Sequence, residues 1–273
     1  MKTQREFKAE ELLGPAAALW LDRIPAFEGV AAAFTTTRTL GEGAAAAFQR
    51  PALTAAGEMD EEYVARLAAA AGFPYGRLAT GRQVHGTHIA RHAVAERRWF
   101  ARCDGLATDL DAAPLAVFTA DCVPVLLWAP AAGALAMLHA GWRGTVAKIA
   151  AAGVAYLARA WGARAEEVMA FLGPAVGVCC YEVGPEVVAA TREAFGARAR
   201  QLLSPRGTAY HLDLHRANEL AAQEAGVLPD NIYRVVACTA HDDLFPSYRR
   251  DGAGAGRLMA VAQRGPAAPG GGE

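Results

Sequence analysis

The sequence of 273 residues has no apolar run of membrane-spanning length, almost no net charge, no CxxC pair and no internal repeat. Lys2, Arg5 and Lys8 alternate with Glu6, Glu10 and Glu11 at the start, so neither a secretory signal nor a membrane partner is expected, and the protein is expected to stay in the cytoplasm. A net charge of -1 without a basic run leaves no row of cations to neutralise a phosphate backbone, and nucleic acid is not an expected partner. The cysteines, Cys103, Cys122, Cys179, Cys180 and Cys238, are odd in number and sparse for so long a chain. That usage suits a reducing compartment and thiols that are buried or ligating. Cys179 and Cys180 are adjacent, and neighbouring residues rarely bridge without strain, so two small packed side chains are favoured over a redox pair.

What is present is the balance of a globular protein, 53% hydrophobic and 20% charged. Short apolar runs predict strands at Gly29–Thr36, Leu115–Thr119, Val123–Ala129, Ala134–Leu138, Val168–Leu172, Ile232–Ala237 and Leu258–Ala262. Spacings of three and four predict helices at Asp60–Ala71, Thr145–Trp161, Pro185–Phe195 and Leu214–Ala225. In the second of these, Ile149, Gly153, Tyr156, Leu157 and Ala160 share one side, as in a helix covering a sheet. Three strands in quick succession before it favour a mixed sheet over strict βαβ winding. The expected fold is α/β (α+β): a single-domain mixed β-sheet core flanked by helices, with an N-terminal segment 1–28, a catalytic domain 29–263 and a disordered Gly/Pro-rich tail 264–273.

Three polar clusters sit beside predicted strands, where packing alone would not ask for them: Gln83-Val84-His85-Gly86, Thr119-Ala120-Asp121-Cys122 and His139-Ala140-Gly141-Trp142-Arg143-Gly144-Thr145. An antiparallel hairpin between Cys122 and His139 would bring the two together. Two imidazoles and one thiolate have the composition of a catalytic zinc site with a fourth position left for water or substrate. The same residues fit a rival chemistry, with Cys122 as thiolate nucleophile, His139 as its base and Asp121 or His85 orienting. Copper is the weaker metal reading, because the chain has no His-x-His pair. The turn before the second helix offers Arg143 and a Thr-type cap for an anion such as phosphate, against the plain reading of an ordinary cap with a surface arginine. Arg38 at the end of the first strand, and the pair Arg249 and Arg250, are further candidate anion contacts or solvated loop charges. His88, His92, His211, His215 and His241 read as structural, with His241 set apart by its neighbours Asp242 and Asp243.

Taken in order, Asp104-Gly105-Leu106-Ala107-Thr108-Asp109, Thr119–Val125, His139–Thr145, Leu172-Gly173-Pro174, Cys179–Gly184, and Cys238-Thr239-Ala240 followed by Ser247-Tyr248-Arg249-Arg250-Asp251 resemble the YfiH-like, laccase-domain family. That family is also labelled polyphenol oxidase, purine nucleoside phosphorylase or peptidoglycan editing factor. The resemblance implies a single-domain mixed fold and zinc held by His85, Cys122 and His139. It implies phosphorolysis of purine nucleosides such as adenosine, inosine, guanosine and methylthioadenosine, with adenosine deamination as a companion. Purine nucleoside and phosphate are then the partners, with Arg143, Arg38 and Arg249 as candidate phosphate or substrate contacts. An amidase acting on peptidoglycan precursors through Cys122 and a non-enzymatic binding protein remain the alternatives. Two departures from the family pattern stand out: the alanine run after Arg38, and Ala240-His241 after Cys238-Thr239.

Overall fold

A computed structural model describes residues 5–14, 18–21, 24–37 and 60–266. Seven strands carry the architecture: β1 (Val30–Phe34), β2 (Leu115–Thr119), β3 (Val123–Ala129), β4 (Ala134–Ala140), β5 (Met169–Leu172), β6 (Ile232–Val235) and β7 (Leu258–Arg264). The α-helices of five residues or more among the described residues are α1 (Glu61–Ala70), α2 (Trp142–Val146), α3 (Ile149–Trp161), α4 (Pro185–Phe195) and α5 (Leu214–Glu224).

These strands form two large sheets. The first runs 6–7, β6, β5, β3, β4, 105–108, 89–91, and mixes parallel with antiparallel pairs. The second runs 19–20, β1, β7, β2, 79–81, 98–100. A small third sheet joins 182–183, 209–212 and 203–206. The central strands of both large sheets are buried on both faces, which is why they read as continuous apolar runs. The period of two assigns each residue to a layer. In β3, Val123, Val125 and Leu127 pack under the helices α3, α4 and α5, while Leu126 and Trp128 face the second sheet. In β2, Leu115 and Val117 meet the first sheet, while Ala116 and Phe118 lie under α1 with Val64 and Leu67. The result is four layers, helices, sheet, sheet, helix, and no helix among the described residues is long and apolar enough to cross a membrane.

Two expectations change. The helix expected over Thr145–Trp161 is two, α2 and α3, broken where Lys148 adopts a left-handed backbone with φ 60°. Alanine-rich flanks hid that break, because their helix propensity is high throughout. Thr145 is not the cap either: Gly141 occupies that position, and Thr145 is buried, its hydroxyl accepting a hydrogen bond from the Asn218 amide at 3.0 Å.

Candidate active site

The chain passes from the second sheet to the first three times in succession, through 82–88, 101–104 and 120–122. His85, Asp104 and Cys122 sit on those three crossings. The fourth participant, His139, lies near the end of β4 on the face shared by Leu135 and Met137, so it points between the sheets. The β3–β4 hairpin pairs His139 with Pro124 and Ala140 with Val123, which brings Cys122 alongside as the sequence suggested. One ligand atom from each of His85, Cys122 and His139 falls within 4.8 Å of the others, and the two imidazole rings meet edge to face with centroids 4.8 Å apart.

Each group is held from behind. Asp104 is fully buried, and its Oδ1 accepts from the His85 amide at 2.8 Å and pairs with His139 Nδ1 at 2.9 Å. Its Oδ2 accepts from the amides of Val84 at 3.1 Å and Gly86 at 2.7 Å. Burial opposes a charge here, but the His139 hydrogen bond and the Gly86 and Val84 amides outweigh it and hold the carboxyl below its usual range. With Nδ1–H donated to Asp104, the Nε2 lone pair of His139 is left to face a ligand. Burial also disfavours a charged His139, yet the Cys122 sulfur and Asp104 on its flanks push its pKa up to about 9. His85 goes the other way, lowered first by burial and then by the neighbouring His139.

The loop bearing His85 is fastened by Gln83, whose side-chain amide donates to the Phe118 carbonyl and accepts from the Phe118 amide, both at 2.7 Å, as an added strand residue would. His85 itself has a positive φ of 59°, and Asp121 one of 90°, conformations a residue with a side chain holds only when its surroundings fix it. Asp121 is fixed by Thr239 and Ser247 hydroxyls at 2.6 and 2.7 Å and by the Arg249 amide at 2.6 Å. Gly141 completes the setting: a methyl group there would run into the His85 ring and the Cys122 sulfur.

Above the three donors opens a cavity of about 710 Å³. Trp99, Phe118, Tyr181 and Tyr248 give it aromatic walls, and Arg82, Arg249 and Arg257 supply cations. Burial pushes the Tyr181 phenol up to about 12, so it stays a neutral donor. Of the arginines expected from the sequence, Arg249 lines the cavity and lies 5.3 Å from the centre of the Tyr181 ring. Arg143 stacks on Trp142 at 4.2 Å and is not among the lining residues, although its charge reaches His85 and Tyr181. Arg38 lies outside the described residues. Asp104 and Arg257 carried no assigned role in the sequence reading. A carboxylate directly before the buried run Gly105–Thr108 was the available signal for the first, and Arg257 had none beyond its place before β7.

Comparison with known proteins places this arrangement. A family model described as multi-copper polyphenol oxidoreductase laccase matches residues 33–264. The chain belongs to that family. It is 40% identical over 199 residues to a purine nucleoside phosphorylase of Deinococcus radiodurans, covering 72% of this chain and 74% of the relative. It is 37% identical over 187 residues to adenosine deaminase RL5 of an unknown prokaryotic organism, covering 63% and 71%. Among solved structures it is similar to the hypothetical protein YfiH of Bacillus licheniformis, with a TM-score of 0.79 and 26% identity over 92% of this chain and 98% of that one. The expected YfiH-like mixed α/β fold is therefore the observed one, and relatives with these names support an enzymatic role.

Proposed function

We propose that the chain is a zinc-dependent purine nucleoside phosphorylase that also deaminates adenosine. The observation that carries this reading is the convergence of His85, Cys122 and His139 at the base of a cavity whose walls are aromatic and whose cations are arginines. The donor set suits zinc: one thiolate and two imidazoles, one imidazole oriented by a buried carboxylate, and a glycine leaving the space open. Held by these three, zinc supplies a Lewis acid and lowers the pKa of water, the chemistry that deamination requires.

The protein's own groups account for the rest. The purine stacks against Tyr181, Phe118 or Trp99, since every base has a face for an aromatic ring. The neutral Tyr181 hydroxyl can donate to a purine ring nitrogen as negative charge builds on the departing base. Arg249 and Arg257 hold phosphate, and a guanidinium binds its oxygens through paired N–H donors. Phosphate so held attacks C1′ of the ribose while the bond to N9 breaks, and the base leaves with its electron pair. Asp104 keeps His139 fixed throughout, because its four hydrogen bonds leave it no spare role. Metal analysis of the purified protein, combined with phosphate-dependent release of hypoxanthine from inosine, tests the reading. A metal-free preparation with full activity would sink it.

A second reading has an observation of its own. Cys122, His139 and Asp104 stand in a row, with the imidazole between thiol and carboxylate, as in a cysteine hydrolase acting on an amide. A covalent adduct at Cys122 that forms with an amide substrate and survives chelation would favour it over the phosphorylase.

A further inference from the structure

The described residues hold a second set of convergent soft donors, separate from the first. Cys179, Cys180, Cys238 and His241 each offer one ligand atom, and all four atoms lie within 4.8 Å of one another. Cys180 Sγ is 3.1 Å from His241 Nε2, and Cys179 Sγ is 3.6 Å from His241 Nδ1. The corners of a zinc tetrahedron built from bonds of about 2.3 Å to sulfur and about 2.0 Å to nitrogen lie roughly 3.5–3.8 Å apart. One imidazole nitrogen takes one corner and the other is left to a hydrogen bond; a spread of at most 4.8 Å among the four donor atoms is within small side-chain rotations of those edges. Three cysteines and one histidine are the donor set of a closed structural site. A disulfide between any two of the thiols would leave the third thiol and the imidazole without a purpose.

The backbone is built around the same point. The amides of Cys180 and Tyr181 both donate to the Gly177 carbonyl at 3.0 Å, and those of His241 and Asp242 to the Cys238 carbonyl at 3.0 and 2.9 Å. Each turn thereby presents its donors on one side. The Gly177 amide donates to Cys238 Sγ at 3.2 Å, the kind of N–H to sulfur bond that steadies a thiolate. A side chain at Gly177 would crowd Cys179 Sγ and the Cys238 Cβ, so glycine keeps the space clear. A bridge between Ala175 and Cys238 already tethers the two turns.

We propose that Cys179, Cys180, Cys238 and His241 form a second, structural zinc site that clamps two loops walling the cavity. Four protein ligands leave no open position, so this ion takes no part in turnover. Its effect is on the wall. Cys180 leads directly into Tyr181, and Cys238 into Thr239, which holds the Asp121 carboxylate beside Cys122. Arg249 bridges the loops by donating to the Glu182 carbonyl at 2.9 Å.

Metal content and ligand shell together test the site apart from catalysis. In the double variant His85→Ala/Cys122→Ser, prepared with zinc present, about one zinc per chain is expected, with X-ray absorption fitting three sulfurs and one nitrogen. Adding His241→Ala, at an exposed position that packing tolerates, is expected to remove most of that zinc while far-UV circular dichroism stays unchanged. A folded double variant containing no zinc would overturn the proposal. So would iron or copper in its place, or a disulfide among the three cysteines in the unreduced protein. A wild-type chain whose single zinc has a sulfur-rich shell would sink the phosphorylase reading and leave this one standing, whereas a single zinc lost in the double variant would do the reverse.

Discussion

Asp104→Asn is the sharpest probe of the proposed metal-donor set, because the geometry fixes what an amide can and cannot replace. Each carboxylate oxygen serves two donors: Oδ1 the His85 amide and His139 Nδ1, Oδ2 the Val84 and Gly86 amides. Asparagine has one oxygen, so either orientation sets its NH2 against two of the four donors. With NH2 toward Val84 and Gly86, the loop carrying His85 loses its anchor. With NH2 toward His139, the imidazole must accept at Nδ1, which puts its proton on Nε2 and removes the lone pair that faces the ligand. Each buried donor left without a partner costs about 1–3 kcal/mol, and relaxation of the loop recovers part of it. A stability loss of about 2–4 kcal/mol is expected, or roughly 4–16 °C in Tm for a chain of this size. Zinc affinity is expected to fall about 10- to 100-fold, the range for losing a carboxylate partner of a metal-bound histidine. Competition against a chromophoric chelator measures the affinity, and calorimetry the stability. An affinity within about twofold of wild type in a fully folded variant would refute the assignment of Asp104 as the group that orients His139.

Other perturbations separate the remaining parts of the argument. Because the His139 pKa is raised to about 9, its proton competes with a metal below that pH, so zinc affinity should climb from pH 6 and level off above about 9; a flat titration contradicts the ligand assignment. Gly141→Ala should leave the fold intact yet reduce both metal content and kcat/KM at least about tenfold, since the new methyl collides with His85 and Cys122. Arg249→Ala should raise the KM for phosphate about 10- to 100-fold by deleting a charge-assisted contact. Adenosine deamination needs no phosphate, and equal losses in both activities would place Arg249 in structure instead. Phe171→Ala, which opens a hole where Phe27 and Phe34 meet it, should cost about 3–5 kcal/mol in denaturant unfolding, with the metal content of the folded protein unchanged.

The strands of the double sheet were legible because burial on both faces turns them into apolar runs, and the β3–β4 hairpin was legible because its connection is short. Which sheet each strand joins was not. β2 and β3 are separated by three residues yet belong to different sheets, a fact set by pairing with β7 and β5 far along the chain. Strands of three residues such as 79–81 and 89–91 carry too little period to register. The same division applies to the site. His85, Cys122 and His139 are rare residue types in polar clusters and could be named as candidates from the sequence; the short hairpin foreshadowed the meeting of Cys122 and His139, but nothing local brought His85 to them. Asp104 is one of many carboxylates, and only its position on a crossing gives it four donors. The second cluster escapes the sequence, where Cys179 and Cys180 read as packed side chains and His241 as structural, because its two halves are about sixty residues apart and neither half alone makes a ligand set.

The two buried carboxylates solve one structural problem twice. His85 and Asp121 both hold positive φ, which costs on the order of 1–3 kcal/mol each for residues with a side chain. Hydrogen bonds offset that cost at both places: Asp104 takes three consecutive amides of the strained His85 turn, and Asp121 draws in Thr239, Ser247 and Arg249 across its own. The strain is therefore met within the fold, so the donors stand in place before any ligand arrives. The supports are nonetheless unequal. His139 belongs to a central strand paired on both sides, whereas the Asp121 hydrogen bonds end in the loop that begins at Cys238. A change in that loop reaches Cys122 through Asp121 before it reaches His139. Adjustment of the cavity to a substrate should then appear on the Cys122 and Arg249 side, with the His139–Asp104 pair as the fixed point.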